Sequence, residues 1–463
     1  MINVRRLTVI VFLGTGMLAG VAAQNSSLQA DTLSEAKLPD QWDLQTCIDY
    51  ALEQNITIRK NRVTAESTQI DVKTAKAALF PSLSFSTSQQ VVNRPYQESS
   101  SRVSGNEIIS ANSKTSYNGN YGLNASWTIY NGSKRLKTLK QEKLNNQVAE
   151  LDVETSENSI QESIAQAYIQ ILYAAESVRV NENTLQVSIA QRDRGQELLN
   201  AGSIAKSDFA QLEAQVSTDR YQLVTAQATL QDYKLQLKQL LELDGENEMN
   251  IYLPSLSDEN VLSPLPTKKD VYVNALATRP EIEASKLNVN ASELEIDIAK
   301  SGYFPTISLS AGIGTTHTSG SDFTFGEQVK NGWNNSIGLS VSVPIFNNRQ
   351  TKSAIQKAKL QYQTSMLSLL DEQKALYKTI EGLWLDANSA QQRYAAANEK
   401  LKSTQISYDL ISEQFNLGMK NTVELLTEKN NLLQARQEQL QAKYMAILNT
   451  QLLKFYQGEK LAL

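Results

Sequence analysis

No residue from 118 to 133 carries a charge, and the side chains of this segment alternate. Tyr121, Leu123, Ala125, Trp127 and Ile129 fall on one side; Gly122, Asn124, Ser126 and Thr128 fall on the other. Such period-two alternation predicts a strand. It ends in Asn131-Gly132-Ser133, which places Ser133 to cap a following helix. The small polar face is the constraint. A sandwich in water buries its apolar face and usually turns charge outward. A strand of about ten residues that is apolar on one side, small and polar on the other, and aromatic near its ends is what the wall of a transmembrane barrel requires.

The pattern occurs twice. Gly338-Leu-Ser-Val-Ser-Val-Pro-Ile-Phe346-Asn347 repeats the spacing from Gly122 to Asn131 at an offset of 216 (338 minus 122), so Phe346 answers Tyr130. Upstream, Ala51-Leu52 returns as Ala275-Leu276, Ala75-Lys76 as Ala299-Lys300, and Phe80-Pro81 as Phe304-Pro305, at an offset of 224. The chain is therefore an internal duplication, and the eight-residue difference falls between the paired strands, where a loop absorbs it.

Taken in order, residues 1–23 read as a signal peptide: Arg5 and Arg6, an apolar run from Leu7 to Leu18, and a small-residue end at Ala22-Ala23. No later segment is apolar enough for a spanning helix, so a membrane form has to be a barrel. The first repeat covers 24–242. It predicts short helices, a β-hairpin over about 82–130 with a polar loop from 89 to 118, and a long helical hairpin over about 133–242. A proline-containing connector follows at 243–268. The second repeat, 269–463, predicts the same series, with a β-hairpin over about 306–346 and a helical hairpin over about 348–457.

The helical assignments rest on texture. Proline is absent between Pro95 and Pro254 and after Pro344, and apolar residues recur seven apart at Val216, Leu223, Leu230, Leu237 and at Leu426, Leu433, Leu440, Ile447. Asn200-Ala-Gly202-Ser203 and Asn416-Leu-Gly418-Met419 supply one turn in each segment. The expected fold class is mixed: all-α coiled-coil hairpins plus a transmembrane β-barrel, tandem duplicated, with four strands and long helices per protomer. Four strands fall short of the roughly eight needed to close a barrel, so more than one copy is required. Leu123, Trp127, Ile129, Ile307, Leu309, Leu339 and Val341 lie on the apolar side of their strands and are expected to face lipid.

In this order, repeated twice, these features resemble the TolC-like outer-membrane efflux proteins over nearly the whole mature chain, about residues 42–456. The resemblance implies a homotrimer with one shared barrel and a periplasmic helical tunnel, forming a trimeric α/β-barrel tunnel. It also implies partnership with a periplasmic adaptor (membrane fusion) protein and an inner-membrane pump. Phe415, Lys420 and Glu424, with Asp208 from the first half, match the positions of the family's periplasmic gate. The turns at Gly202, Ser203, Gly418 and Met419 match its adaptor-docking points. A second acid that some members carry is Thr427 here.

Catalytic chemistry has no candidates. His317 is the one histidine and is expected in a Gly/Ser/Thr-rich loop; Cys47 is the one cysteine. No metal cluster, phosphate loop or nucleophile elbow stands in the sequence, so no cofactor, metal or enzymatic role is expected. The formal charge of -5 argues against nucleic acid as a partner. Two functional classes remain: a passive exit duct of a tripartite efflux or type I secretion system in the outer membrane, or a structural coiled-coil tether or surface stalk. At the second turn, Asn421 and Glu424 also have capping-box spacing, and Lys420 and Glu424 stand one helical turn apart, where they can pair.

Overall fold

The computed structural model describes residues 39–96, 100–104, 107–111, 114–244, 249–254, 261–319, 321 and 323–462. The signal-peptide expectation and parts of the connector lie outside them. No described helix is long and apolar enough to cross a membrane.

A small unit contains Trp42 and Met249–Tyr252. There, Trp42 and Ile251 form a parallel bridge. The Trp42 N–H donates to the Asn250 carbonyl at 2.9 Å, and the Tyr252 N–H donates to the Trp42 carbonyl at 2.8 Å.

The main unit begins with α1 (Leu44–Gln54) and α2 (Ile56–Ala77). Asp43 caps the first, accepting from the Thr46 N–H at 2.7 Å, and Asn55 caps the second through Thr57 and Ile58. After Phe80-Pro81 come β1 (Ser82–Asn93), β2 (Ser100–Ser104), β3 (Glu107–Ala111) and β4 (Thr115–Asn131). Then follow α3 (Lys134–Asn200) and α4 (Lys206–Leu240). The second half supplies α5 (Lys268–Thr278), α6 (Pro280–Lys300), β5 (Thr306–Thr318), α7 (Phe325–Asn331), β6 (Asn334–Ser342), α8 (Gln350–Asn416) and α9 (Thr422–Tyr456). The duplication is visible in the lengths: α3 and α8 have 67 residues each, and α4 and α9 have 35 each. At 1.5 Å per residue the longer arms measure about 100 Å.

One antiparallel sheet runs in the order β1-β4-β5-β6. β1 pairs with β4 and β5 with β6 inside the halves, and the β4–β5 pairing joins the halves. Among the described residues, the outer edges of β1 and β6 have no strand beside them within the chain. The core lies among helices, where Val271, Ala275, Ile282, Leu376, Ile380 and Leu453 pack together around the second repeat. Connector residues 261–266 lie along α8: the Gln391 amide donates to the Val261 and Ser263 carbonyls, and Trp384 Nε1 donates to the Pro266 carbonyl at 3.0 Å.

Several local expectations are corrected. The loop over 89–118 is partly strand: β1 runs on to Asn93, β4 starts at Thr115, and β2 and β3 form a second hairpin between them. The second half has α7 in the matching loop. β6 ends at Ser342, before Pro344, which cannot donate a ladder hydrogen bond. Ser133 makes no side-chain cap. Instead Gly132 and Ser133 both adopt left-handed backbone, as do Asn348 and Arg349 at the matching strand-to-helix junction. Gly132 also lacks room for a side chain, since a Cβ there would lie 2.8 Å from that of Phe304. Finally, His317 belongs to β5 rather than a loop, with its ring beside Tyr117 and Phe325.

Candidate functional site

Two features stand at opposite ends of the long helices: the sheet and the helical turns. Across its middle the sheet has one apolar and one polar face. Register aligns Phe85 with Leu123 and Leu123 with Ile313; Trp127 with Leu309 and Leu309 with Leu339; and Ile307 with Val341. These residues form one continuous apolar face, and Leu83, Phe85, Ile337 and Leu339 are each about two-thirds exposed or more on it. A bulge between Thr128 and Tyr130 leaves Ile129 out of the pairing and sets Tyr130 opposite Ile307.

The other face is made of hydroxyls and amides. Ser82 and Ser126 hydroxyls lie 2.8 Å apart, Asn124 Nδ2 donates to Ser86 Oγ at 3.3 Å, and Ser310 Oγ donates to the Gly338 carbonyl at 3.3 Å. None of the four strands contains Asp, Glu, Lys or Arg. At one border of the sheet, Trp127 Nε1 donates to the Leu79 carbonyl at 2.8 Å, tying the indole to the end of α2.

At the other end, both helical hairpins turn by the same device. Gly202 and Gly418 take φ of 71° and 74°. The N–H groups of Ser203 and Met419 reach back to the Leu198 and Gln414 carbonyls at 2.8 Å, and those of the glycines reach Leu199 and Phe415 at 2.9 Å. That is the Schellman pattern. No atom lies within 4 Å of a Cβ built on either glycine, so conformation rather than space requires glycine here.

The residues matched to a gate sit as follows. Phe415 is buried against Leu212 and Leu425, so its ring joins the two hairpins inside one chain. Lys420 Nζ bonds Glu424 Oε1 at 2.6 Å. Glu424 also completes a capping box: its N–H donates to Asn421 Oδ1 at 2.9 Å, and its carboxylate accepts from the Asn421 N–H at 3.2 Å. The hydrogen bond from Lys420, seconded by that from Asn421, holds the Glu424 carboxyl below its ordinary range. Asp208 does not meet Lys420 within the chain; its carboxylate accepts from the Ala205 N–H at 3.3 Å at the start of α4. Met419 is exposed at the apex.

Besides a 3.5 Å bond from Gln215 Nε2 to Asn430 Oδ1, three contacts between the halves near this end go beyond the residues that the sequence singles out. Gln191 Nε2 donates to the Tyr408 hydroxyl at 2.8 Å, and Arg194 donates to the Asn416 carbonyl at 3.2 Å. The third is buried: Lys429 of α9 bonds Asp219 of α4 and Ser188 of α3, and Gln215 Nε2 donates to Asp219 Oδ1 at 2.9 Å. Burial pulls the Lys429 pKa down while the Asp219 carboxylate opposes the shift. A sequence signal existed. Asp219 and Lys429 each stand three residues after a seam residue, Val216 and Leu426, at the second seam position of a heptad, where a charge is exceptional.

No group of three or more potential metal ligands occurs among the described residues. Comparison with known proteins gives a consistent picture. Residues 47–242 and 271–459 match the sequence profile of the family described as "Outer membrane efflux protein", one match in each half. "Outer membrane protein TolC" of Salmonella enteritidis is 23% identical over 92% of this chain and 83% of its own length. "Cation efflux system protein CusC" of Escherichia coli O157:H7 is 25% identical over 88% of this chain and 84% of its own. A solved structure of CusC superposes with a TM-score of 0.76 at 20% identity, covering 90% of this chain and 92% of that one.

Proposed function

The chain belongs to the outer membrane efflux protein family, and from that premise we infer how its parts divide the work. The protein is an outer-membrane exit duct of efflux systems. The observation that carries the mechanism is the sheet: four uncharged strands with an exposed apolar face and a hydroxyl-lined reverse. In a bilayer the apolar face meets lipid at Leu123, Trp127, Ile129, Ile307, Leu309, Leu339 and Val341, and the hydroxyl face lines the path. Two open edges cannot persist in hydrocarbon, because every unpaired backbone group there costs several kcal/mol. Copies therefore join edge to edge, β6 of one beside β1 of the next, and three copies close a barrel of twelve strands.

The long helices continue the conduit, and transport is passive, driven by a pump to which this chain adds no chemistry. The turns at Gly202-Ser203 and Gly418-Met419 are the docking points for a periplasmic adaptor, since they are the non-helical surfaces farthest along the hairpins from the sheet. Cysteine at Ser203 or Met419, in a Cys47→Ala background, should crosslink to an adaptor, and cysteine at Ser88 should not; the reverse result would invert the polarity. Lys420 and Glu424 restrain the tip, with Asp208 of a neighbouring hairpin as the competing carboxylate. Exposed pairs are worth only about 0.2–1 kcal/mol each, so their effect depends on repetition around the axis. Liposome swelling tests the duct: full-length protein carrying Lys420→Glu should admit small sugars faster than wild type. A chain that inserts yet leaves liposomes tight in both forms is a tether.

A further inference from the structure

The two helical hairpins match each other position by position at an offset of 216, so each offers its neighbours nearly the same backbone. The chain nevertheless pairs a first-half hairpin with a second-half one. One contact across that junction is a buried charge pair: Asp219 and Lys429 are 1% and 3% exposed, and both bond Ser188, itself buried. The duplication makes the asymmetry legible. The residue in α9 that matches Asp219 is Ala435, which is fully buried. The residue in α4 that matches Lys429 is Glu213, which is exposed. The match to Ser188 is Thr404, whose hydroxyl is turned to its own helix at the Lys400 carbonyl.

We propose that the Asp219–Lys429–Ser188 contact is a partner-choice surface that admits only unlike hairpins, so that this face of a first-half hairpin closes on a second-half hairpin and not on the like hairpin of another copy. Two second-half hairpins packed in the same way would bury Lys429 against Ala435 and Thr404, with no carboxylate to meet it. Two first-half hairpins would bring Asp219 against Glu213, carboxylate to carboxylate. Removing one partner of a buried pair is strongly destabilising, whereas replacing the whole pair by apolar groups is often tolerated. The pair is thus better suited to rejecting the wrong neighbour than to adding net stability, the role that buried polar residues have in fixing coiled-coil partners. Gln215 and Ser188 complete the carboxylate's hydrogen bonds, as a buried charge requires.

The test uses the full chain with one reporter, Gln191→Cys. Gln191 touches Tyr408, whose first-half match is Arg192, so pairing of two first-half hairpins would bring the reporter thiol of one copy beside that of another. In an alternating ring a whole hairpin, about 20 Å of helix pair, separates them. The native Cys47 stays silent, because it is buried and its thiol is pushed up to about 12. A short bis-maleimide should therefore yield only a trace of reporter-linked dimer in the otherwise wild-type chain, while Gln191→Cys with Tyr408→Cys confirms the unlike contact. Asp219→Leu with Lys429→Met and Ser188→Ala keeps the site packed but removes the charges. It should raise the dimer at least tenfold, a preference of about 1.4 kcal/mol. Asp219→Lys, which opposes Lys429 and attracts Glu213, should raise it further. If neither variant raises the dimer, whether it assembles normally or fails to fold, the pair has no role in partner choice. Conductance is recorded on the wild-type chain alongside, so a wild type that inserts without conductance steps would refute the duct while leaving the pairing rule intact.

Discussion

The first-half and second-half hairpins share lengths, turn chemistry and the left-handed junction that launches them, yet they differ in what they bury. α9 buries sixteen residues and α4 four, one of which is Asp219. Their grooves differ as well. Between α8 and α9 lies a cavity of about 550 Å³ with Asp386, Arg393, Lys400 and Glu438 on its walls. At the matched place between α3 and α4 the cavity is about 360 Å³ and is lined by Tyr173, Ser177, Asn181 and Gln222. The backbone pattern follows from features common to both halves, namely glycine turns and the absence of proline. Burial follows from the neighbour each helix acquires, which duplication leaves free to diverge. α4 still exposes Tyr221, Val224 and Leu235 in the single chain, an apolar surface that a further copy can cover.

The largest expected effect breaks the matched pair Lys429 and Glu213. Lys429→Met leaves Asp219 buried without its cation and should cost about 3–5 kcal/mol. The matched Glu213→Met should stay within about 0.5 kcal/mol, as surface changes do. Urea titration of both reads the difference, and equal costs would erase the contrast between α4 and α9.

The sheet offers the next comparison, between its two faces. Ala125→Arg on the apolar face should lower barrel stability by about 2–4 kcal/mol, and Ser126→Arg on the hydroxyl face by much less. Heat-modifiability on gels, measured as the temperature at which the assembled form dissociates, should fall for the first variant only. Similar losses at both positions would mean that the faces are misassigned.

Gly202 and Gly418 should respond alike, because no atom crowds either one. Alanine at each must hold a left-handed conformation, at a cost of about 1–2 kcal/mol. Unequal costs under thermal melting would show that one turn is shaped by more than its backbone.

The smallest effect separates the two returning helices. Asn421→Ala removes a cap that accepts from the Glu424 N–H and should cost about 1 kcal/mol. At the matched position of α4 stands Ala205, which makes no side-chain cap, so Ala205→Asn should stabilise by a comparable amount. Circular dichroism melts of the two variants should shift in opposite directions.

How much of this was legible in the sequence varies with the physics involved. Long periodic signals carried well: the helical hairpins, the glycine turns, the Phe-Pro starts of β1 and β5, and the alternation of Leu123, Trp127, Leu309 and Leu339. Local backbone choices carried less. Ser133 reads as a cap, but the junction needs two successive left-handed residues, and no hydrophobic pattern encodes that geometry. The hairpin of β2 and β3 arises in a polar stretch whose pairing is set by backbone hydrogen bonds rather than by burial. At the tip, Lys420 and Glu424 were legible from their spacing. Phe415 drew notice for its position, but its burial against Leu212 and Leu425 depends on tertiary contacts. Asp219 and Lys429 were missed because each looks like one more charge on a charged helix until the seam is traced.

Single-channel recording in planar bilayers tests the duct most directly. The purified full-length protein should insert with discrete conductance steps, and Lys420→Glu, which sets an acid beside Glu424, should raise the step size, with Glu424→Gln raising it less. If Glu424 acts only as a cap, Glu424→Gln should lower the melting temperature and leave conductance unchanged. Insertion without steps in both the wild type and Lys420→Glu would contradict the duct itself, and steps of wild-type size in Lys420→Glu would contradict the restraint at its tip.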